Sequence, residues 1–280
     1  MFTQPGAELF VPDGSSADEA LSRTTHLGVG AHADDLEIMA IHGILAGYRG
    51  QGRCFAGAVV TDGAGSPGAG ADRAALRETR RSEQKRAATL GRYGAVALLD
   101  HPSASVKDPA EHAVVADLVA LLRAARPEVV YTHALSDAHD THVAVTLRLL
   151  AACRALGAGE RPARILGCEV WRDLDWLPPE DKVLLAVDDH EDLQAGLVAV
   201  FESQIGGGKR YDRAVLGRRQ AHAVFSESHA VDRHRGVTWA MDLTPLASAG
   251  DPAEYLRGLV GRFEGEVLGR LDRVRGGNGF

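Results

Sequence analysis

Four short apolar segments alternate with longer segments of helical periodicity between residues 25 and 156 of this 280-residue chain. Strands that alternate with helices favour a parallel sheet, because each helix returns the chain to the same edge. The sequence therefore predicts a Rossmann-like, doubly wound and mainly parallel α/β sheet with helices on both faces. The predicted strands are 25–30, 54–61, 95–99 and 128–132, and the predicted helices are 35–48, 73–90, 109–125 and 143–156.

The second half of the chain has shorter apolar runs, and its strands and helices no longer alternate regularly. We expect residues 161–280 to complete and cover the sheet begun by residues 1–160, so that residues 1–280 form one domain. The last predicted helix is amphipathic, which is compatible with a homo-oligomer. The predicted elements of this half are strands at 164–170, 182–187 and 237–243 and helices at 190–201 and 252–274.

Charge and cysteine content restrict the class of partner. The net charge is −7 and the Lys and Arg residues are scattered, so the chain lacks the basic surface that binds nucleic acid. Cys54, Cys153 and Cys168 form no C-x-x-C pair, which argues against a disulfide framework and a thiolate metal site. We see no signal-peptide pattern and no apolar window of about 18 residues. We therefore expect a cytoplasmic protein, without a membrane span, that acts on a small molecule.

A histidine and two aspartates stand where the first predicted strand runs into a helix, in His32-Ala33-Asp34-Asp35-Leu36. Open α/β sheets hold their ligands at the carboxyl ends of strands. The spacing of His32 and Asp35 lets the two ends of a sharp turn converge on one ion, while Asp34 points elsewhere. Catalytic zinc sites use three nitrogen or oxygen ligands and keep one position for water, so a third ligand is required.

The loop after the fourth predicted strand offers that ligand in the segment Asp137-Ala138-His139-Asp140-Thr141-His142. The first and fourth predicted strands can be neighbours where the strand order reverses at the centre of the sheet. We therefore expect His142 to join His32 and Asp35 at one metal ion. Two such clusters at strand ends indicate a metal site more specifically than either cluster alone.

The segment GAHADDLE, followed after the fourth strand by HDTH, resembles the motifs AHPDDE and HPDH of the LmbE-like and PIG-L zinc-dependent de-N-acetylases. The resemblance extends to the loop 61–63 and to Arg80-x-x-Glu83. It implies hydrolysis of an N-acetyl amide on a GlcNAc-type amino sugar or glycoconjugate, with release of acetate. Ala33 replaces the usual proline of the first motif, and Asp140-Thr141 replaces the usual Pro-Asp of the second.

The resemblance also assigns roles position by position. The implied zinc ligands are His32, Asp35 and His142. The implied catalytic groups are Asp34, as the general base, and His139. In that scheme Asp34 takes a proton from a water whose pKa the zinc lowers to about 7, and protonated His139 stabilises the oxyanion.

Other site residues have less specific signals. Arg80 matches an arginine that contacts substrate in several family members, although its charged neighbours also fit a solvated helix face. We expect His229 to approach the site from the C-terminal half or from a neighbouring subunit. Either Asp137 or Asp140 can orient His139. The segment 171–176 has two tryptophans and suits a sugar platform or an ordinary loop, and the glycine-rich loop 63–70 is interpreted as a mobile rim.

Simpler interpretations compete with a zinc enzyme. The aspartates can cap a helix, and the histidines can lie in a solvated loop. A His/His/Asp set also accepts other first-row divalent metals. Because fold does not fix reaction, hydration of an unsaturated acid or another hydrolysis is the first alternative, and a metal-binding protein without catalysis is the second. Metal retention requires neither Asp34 nor His139, so their presence favours an enzyme.

Overall fold

The computed structural model describes residues 2–64, 72–206, 208, 210–226 and 229–275. Within these residues, eight strands form one sheet of order β1-β4-β3-β2-β5-β6-β8-β7. The strands are β1 (Glu8–Phe10), β2 (His26–Gly30), β3 (Phe55–Thr61), β4 (Ala95–His101), β5 (Val129–His133), β6 (Arg164–Cys168), β7 (Val183–Ala186) and β8 (Val237–Asp242).

Helices cover both faces of this sheet. They are α1 (Ala17–Ser22), α2 (Asp35–Met39), α3 (Ile41–Arg49), α4 (Arg73–Leu90), α5 (Ser103–Lys107), α6 (Ala113–Ala125), α7 (Asp140–Ala155), α8 (Glu191–Ala199), α9 (Glu202–Ile205), α10 (Tyr211–Phe225) and α11 (Pro252–Arg275). In the described part of the chain, no helix is both long and apolar enough to cross a membrane.

The centre of the sheet is parallel and its edges are antiparallel. Strands β4, β3, β2, β5 and β6 pair in parallel. Strand β1 joins β4 antiparallel, and β8 joins both β6 and β7 antiparallel. The predicted α/β class and mostly parallel sheet are therefore confirmed. The antiparallel edges lie outside a Rossmann-like, doubly wound arrangement, which stays a prediction.

Two apolar cores lie on opposite faces because side chains alternate along each strand. Leu27 and Val29 of β2 pack with α1, α6 and α7 on one face. Phe55 and Val59 of β3 pack with α2, α3, α4 and α8 on the other. The central strands β2, β3 and β4 are buried on both faces, as parallel strands between two helix layers are expected to be.

The structure differs from the predicted elements in a few places. The predicted helix 35–48 is interrupted at Ala40, which has φ −101° and ψ 16°, and forms α2 and α3. Strand β1 and helices α1, α5 and α9 were not predicted. Most of the loop predicted to be a mobile rim, residues 65–71, lies outside the described residues.

Strands β2 and β5 bring the two sequence motifs together. They are parallel neighbours, with Gly28 level with Tyr131. Strand β2 ends at Gly30 and β5 ends at His133, so the loops that follow both strands leave from the same edge of the sheet. The predicted adjacency of these two strand ends is confirmed.

Candidate metal centre

The chain turns sharply between β2 and α2. Asp34 has φ 89°, a left-handed conformation that is strained for a residue other than glycine. Gly30 allows α2 to start close to the strand, because a Cβ on Gly30 would lie 3.0 Å from the Cβ of Asp35. Asp35 Oδ2 accepts the backbone N–H groups of Ala31 at 3.0 Å and His32 at 2.6 Å. These bonds fix the carboxylate of Asp35.

Three side-chain atoms from the two motifs meet at the strand ends. His32 Nδ1 lies 3.1 Å from His142 Nε2 and 3.4 Å from Asp35 Oδ2. His142 Nε2 lies 3.5 Å from the same carboxylate oxygen. Tetrahedral zinc ligands at about 2.0–2.1 Å from the ion are about 3.3–3.4 Å from each other. This donor triangle of His32, Asp35 and His142 therefore has the size of one face of a tetrahedral zinc site.

The surroundings of the donor triangle favour a cation. Asp35 and His142 are buried. Burial opposes the ionisation of Asp35, but His142 and His133 outweigh it and lower the pKa of the carboxyl. An ionised carboxylate and imidazole lone pairs at this separation are costly in a buried place unless a positive charge joins them. The residues present thus fit a divalent metal ion.

Asp137 lies behind the candidate ligand His142. Its Oδ1 lies 3.2 Å from His142 Nδ1 and also accepts the backbone N–H of His139 at 2.8 Å. Its Oδ2 accepts the backbone N–H of Trp171 at 3.0 Å. A carboxylate behind a ligating imidazole fixes the orientation of the ring. Asp140, in contrast, is exposed at the start of α7. Asp137 is therefore the aspartate that contacts the centre, and the ring that it orients is that of His142.

His139 lies beside the donor triangle at the N-cap of α7. Its ring centroid is 4.7 Å from that of His142 and 5.1 Å from that of His32. Its Nδ1 accepts the backbone N–H of Thr141 at 3.2 Å, so the neutral ring carries its proton on Nε2. Burial and the neighbouring imidazoles lower the pKa of His139. At neutral pH the available donor is then the Nε2–H of a neutral ring, whereas the sequence scheme used a protonated one.

His133 is a residue of this centre that the sequence analysis missed. It is fully buried, and its ring stacks on His142 with centroids 3.9 Å apart. Two other sets of residues here are able to hold an ion: His139 with His32 and His142, and His133 with Asp35 and His142. However, His133 Nε2 already accepts the N–H of Ala31 at 2.9 Å, so His32 is the better placed third ligand. The signal for His133 was a histidine at the carboxyl end of a strand.

Asp34 lies next to the donor triangle but is not part of it. Burial and the adjacent Asp35 raise its pKa well above the usual range, and Arg80 opposes this shift. A buried carboxylate with a raised pKa is suited to accept a proton near neutral pH. Asp34 therefore has the environment of a general base.

Two glutamines hold the backbone on either side of Asp34. Gln84 Oε1 of α4 accepts the N–H of Asp34 at 3.4 Å. Gln204 Nε2 of α9 donates to the carbonyl of Ala33, the preceding residue. Asp34 and its strained backbone are thus fixed by side chains from two helices outside the motif.

A buried polar network continues from Gln84 beneath α2. Gln84 Nε2 donates to Glu37 Oε1 at 2.8 Å, and the Tyr93 hydroxyl donates to the same oxygen at 2.7 Å. Burial raises the pKa of Glu37 to about 7. Arg219 of α10 donates to the carbonyls of Glu37 and Ile38 at 2.8 and 3.2 Å. Side chains from α4 and α10 therefore hold the short helix that carries Asp35.

Residues 27–153 match the model of the PIG-L family, which is described as GlcNAc-PI de-N-acetylase. Over this segment the chain is similar to the PIG-L family. The match contains both histidine-aspartate motifs and the donor triangle, so the family resemblance seen in the sequence is confirmed. No curated protein sequence matches the chain significantly.

Solved structures of similar fold cover most of the chain. The conserved protein TT1542 of Thermus thermophilus is 22% identical, with 82% of this chain and 98% of that one covered and a TM-score of 0.61. GalB, the 4-carboxy-2-hydroxymuconate hydratase of Pseudomonas putida, is 16% identical, with coverage of 81% and 98% and a TM-score of 0.59. N,N'-diacetylchitobiose deacetylase of Pyrococcus horikoshii is 17% identical, with coverage of 77% and 83% and a TM-score of 0.57. At these identities the likeness concerns the fold.

Arg80, also within the PIG-L segment, is buried beside Asp34. Its Nη1 donates to the carbonyl of Gly63 at 2.5 Å, and its charge lowers the pKa of Asp34 against the larger effect of burial. The loop that continues from Gly63 lies outside the described residues from 65 to 71. Substrate contact by Arg80 stays a prediction.

An aromatic pair from beyond the PIG-L segment stands next to the centre. Trp171 is 41% exposed, and its ring meets that of Tyr211 edge-on with centroids 5.5 Å apart. The backbone of Trp171 is bonded to Asp137, which contacts the ligand His142. Burial and then Asp34 raise the pKa of Tyr211, so its hydroxyl is within electrostatic reach of the centre.

His229 follows helix α10, whose first residue is Tyr211. It is exposed, and residues 227–228 lie outside the described part. Its approach to the site, from the C-terminal half or from a neighbouring subunit, stays a prediction.

Proposed function

We propose that this protein is a zinc-dependent hydrolase that removes the N-acetyl group from an amino sugar or glycoconjugate. The observation that carries the proposal is the donor triangle of His32, Asp35 and His142 with the uncoordinated Asp34 beside it. The description of the family names a de-N-acetylase, and one protein of similar fold is an N,N'-diacetylchitobiose deacetylase. Both support an amide of an acetylated sugar as the substrate.

The donor triangle would hold the metal, and Asp137 would orient its ligand His142. Two imidazoles and a carboxylate suit zinc and also accept other first-row divalent ions. When bound, the ion supplies Lewis-acid polarisation of the amide carbonyl and acidifies a water molecule.

The residues around the triangle then move the protons. Asp34 accepts a proton from the attacking water, whose oxygen forms a bond to the carbonyl carbon. His139 donates the hydrogen on Nε2 to the oxygen that becomes negative in the tetrahedral intermediate. The C–N bond breaks, and Asp34 delivers its proton to the departing nitrogen. The products are acetate and a free amine.

The aromatic pair of Trp171 and Tyr211 offers an aromatic surface against which the substrate can pack. The flat face of an aromatic ring packs well on the C–H groups of a sugar ring. The guanidinium of Arg80, on the side of Asp34, offers hydrogen bonds to hydroxyl or acyl oxygens. We therefore expect a cyclic, polar acyl carrier to be preferred to a linear one.

Acetate release from a panel of N-acetylated sugars and conjugates tests the proposal directly. Zinc content is measured in parallel by elemental analysis, before and after chelation. We expect one zinc-dependent activity that chelation abolishes and zinc restores. The variant Asp34→Asn, which keeps the donor triangle, should retain its zinc and lose turnover at least a hundredfold, within the usual range for a general base. Zinc-loaded Asp34→Asn with full turnover would refute the mechanism.

Metal-dependent hydration is the second candidate, because the hydratase GalB has a similar fold. Water would then add to a carbon-carbon double bond, and no acetate would leave. Incubation with unsaturated dicarboxylic acids, followed by loss of their ultraviolet absorbance, measures this reaction. Absorbance loss without acetate release from any panel member would favour the hydratase.

A further inference from the structure

The last helix, α11, is anchored to the rest of the molecule by its first half. The Tyr255 hydroxyl donates to the carbonyl of Asp242 at 2.5 Å, and Leu259 is buried. Arg262 forms two hydrogen bonds with Asp181, at 2.7 and 2.9 Å. Residues 264–275 continue the helix for about three more turns and are exposed or half-exposed throughout.

A row of apolar side chains follows one face of α11 into this exposed half. Its members are three or four residues apart, which places them on one side of a helix. They are between 36% and 81% exposed. The α11 stripe consists of Val260, Phe263, Val267, Leu271 and Val274, and Leu268 flanks it.

The α11 stripe is too apolar to be an ordinary solvated face. Six side chains with this exposure leave roughly 500 Å² of apolar surface in water, which is as large as the largest patch on most monomers. Gly261, Gly265 and Gly269 also weaken the helix, since glycine has a low helix propensity. A helical end of about twelve residues is marginal in water without packing. An ordered α11 therefore needs a partner that covers the stripe.

We propose that the partner is a second copy of this chain, with the two α11 helices packed antiparallel about Val267. Reversal about this residue brings Val267 against Val267 of the second copy. It sets Val260 level with Val274 of the second copy, and Phe263 level with Leu271. Each apolar side chain of the stripe then faces an apolar side chain, so the stripe is complementary to itself.

The charges along α11 select the antiparallel direction. Acidic Glu264 and Glu266 come before basic Arg270, Arg273 and Arg275. Glu266 and Arg270 lie on one flank and are 2.6 Å apart within the helix. In the antiparallel pair, Glu266 comes within about 3 Å along the axis of Arg270 of the second copy. A parallel pair would place acid beside acid and base beside base.

The buried area is also that of a dimer. Two stripes together remove on the order of 1,000 Å² of apolar surface from water, before the polar flanks are counted, and specific interfaces begin at about this size. A small ligand or an extended peptide would leave most of the stripe exposed.

The mass of the full-length protein in solution tests the interface. Light scattering after gel filtration should give the mass of a dimer at micromolar concentration, and Val267→Glu with Leu271→Glu should give a monomer. Val231→Glu is the matched control, because Val231 is 89% exposed but lies outside α11. It should leave the dimer unchanged. A monomeric wild type, or a dimer that survives both glutamates, overturns the proposal.

Single cysteine substitutions test whether the two α11 helices pack antiparallel, and they leave the rest of the stripe apolar. The half-buried Cys54 is first changed to Ser so that it forms no disulfide of its own. Val267→Cys should form a disulfide-linked dimer under mild oxidation, because this position meets itself. Val274→Cys should link to Val260→Cys in a mixture but not to itself. Self-linking of Val274→Cys would show a parallel pair and contradict the antiparallel geometry.

Discussion

Gln84 and Asp34 are joined by a hydrogen bond from the backbone of the candidate base to the side chain of a helix 50 residues further along the chain. The bond is 3.4 Å long, and Gln84 is fully buried. Because Asp34 has a left-handed backbone, a small relaxation would re-aim its carboxylate. Gln84 is therefore a positioning residue for Asp34.

Replacement of Gln84 by Met removes the acceptor and keeps the length of the side chain. We expect kcat to fall about fivefold, since one hydrogen bond to a buried group contributes about 1 kcal/mol. The variant also loses the bond from Gln84 to Glu37, but we expect zinc content and KM to be unchanged because Tyr93 and Arg219 still bond to Glu37. Steady-state kinetics with zinc analysis measure both. Lys85→Met on the same helix, which loses a surface pair with Glu8, is the control and should be silent.

Asp137→Asn keeps the shape of the residue behind His142 and removes its charge. We expect zinc affinity to fall by about 10–100-fold, as for other carboxylates that orient a ligating imidazole. A titration against a competing chelator measures the change. Asp140→Asn should have no effect, because Asp140 is exposed. Equal losses in both variants would contradict the assignment of Asp137.

Gly30→Ala should disturb the metal centre from inside the sheet. The added Cβ would lie 3.0 Å from the Cβ of Asp35 and 3.4 Å from Leu36 Cδ2. We expect a loss of about 1–3 kcal/mol in the free energy of unfolding, measured with denaturant, together with weaker zinc binding. Gly159→Ala is the matched control, because a Cβ there has no atom within 4 Å. A fully stable Gly30→Ala protein would show that α2 can move away from β2.

The stability of the fold should depend on pH through His42. Its Nδ1 lies 2.8 Å from the Tyr131 hydroxyl, and burial lowers its pKa to about 4. The unfolded chain binds this proton with a pKa of about 6.5. The stabilisation from neutral His42 is thus complete above pH 6.5 and is lost as the pH falls towards 4.

His42→Gln removes this titration and keeps a hydrogen-bonding group. Between pH 7 and pH 4, wild type should lose up to about 3 kcal/mol of stability relative to the variant. Denaturant unfolding at each pH gives the free energy of unfolding of wild type and variant. Groups that both proteins share, such as the candidate metal ligands, titrate equally in both, so they cancel in the difference. A difference that stays constant with pH would contradict a buried, neutral His42.

Local signals in the sequence were sufficient for several elements. Helix α4 begins and ends as predicted, because the Asp72 side chain caps its first turn and Gly91 follows its last residue. The interruption at Ala40 was not predictable in this way. Arg219, far along the chain, donates to the carbonyls of Glu37 and Ile38 that a continuous helix would use itself.

In the candidate centre, too, the sequence predicted the features that follow from local patterns and missed those that depend on the packing of distant residues. Sequence placed His32 and His142 together, because strand ends in a parallel sheet share an edge. It left Asp137 and Asp140 as alternatives, since the choice depends on the turn between them and His142. It did not include His133, which follows the predicted strand 128–132 and was counted with the polar loop. It also did not place Tyr211, which lies outside both motifs, beside the centre, where burial and then Asp34 raise the pKa of its hydroxyl.

The separation of the two motifs along the chain has a consequence for biosynthesis. His32 and His142 are 110 residues apart in sequence and 3.1 Å apart at their ring nitrogens. Contacts between such distant segments form later than local helices, because a long loop must close first. A growing chain from which β5 has not yet emerged contains His32 and Asp35 but lacks His142, the third member of the donor triangle. If the proposed function is correct, metal binding would follow the pairing of β2 with β5, and the rate of zinc binding during refolding would report when that pairing occurs.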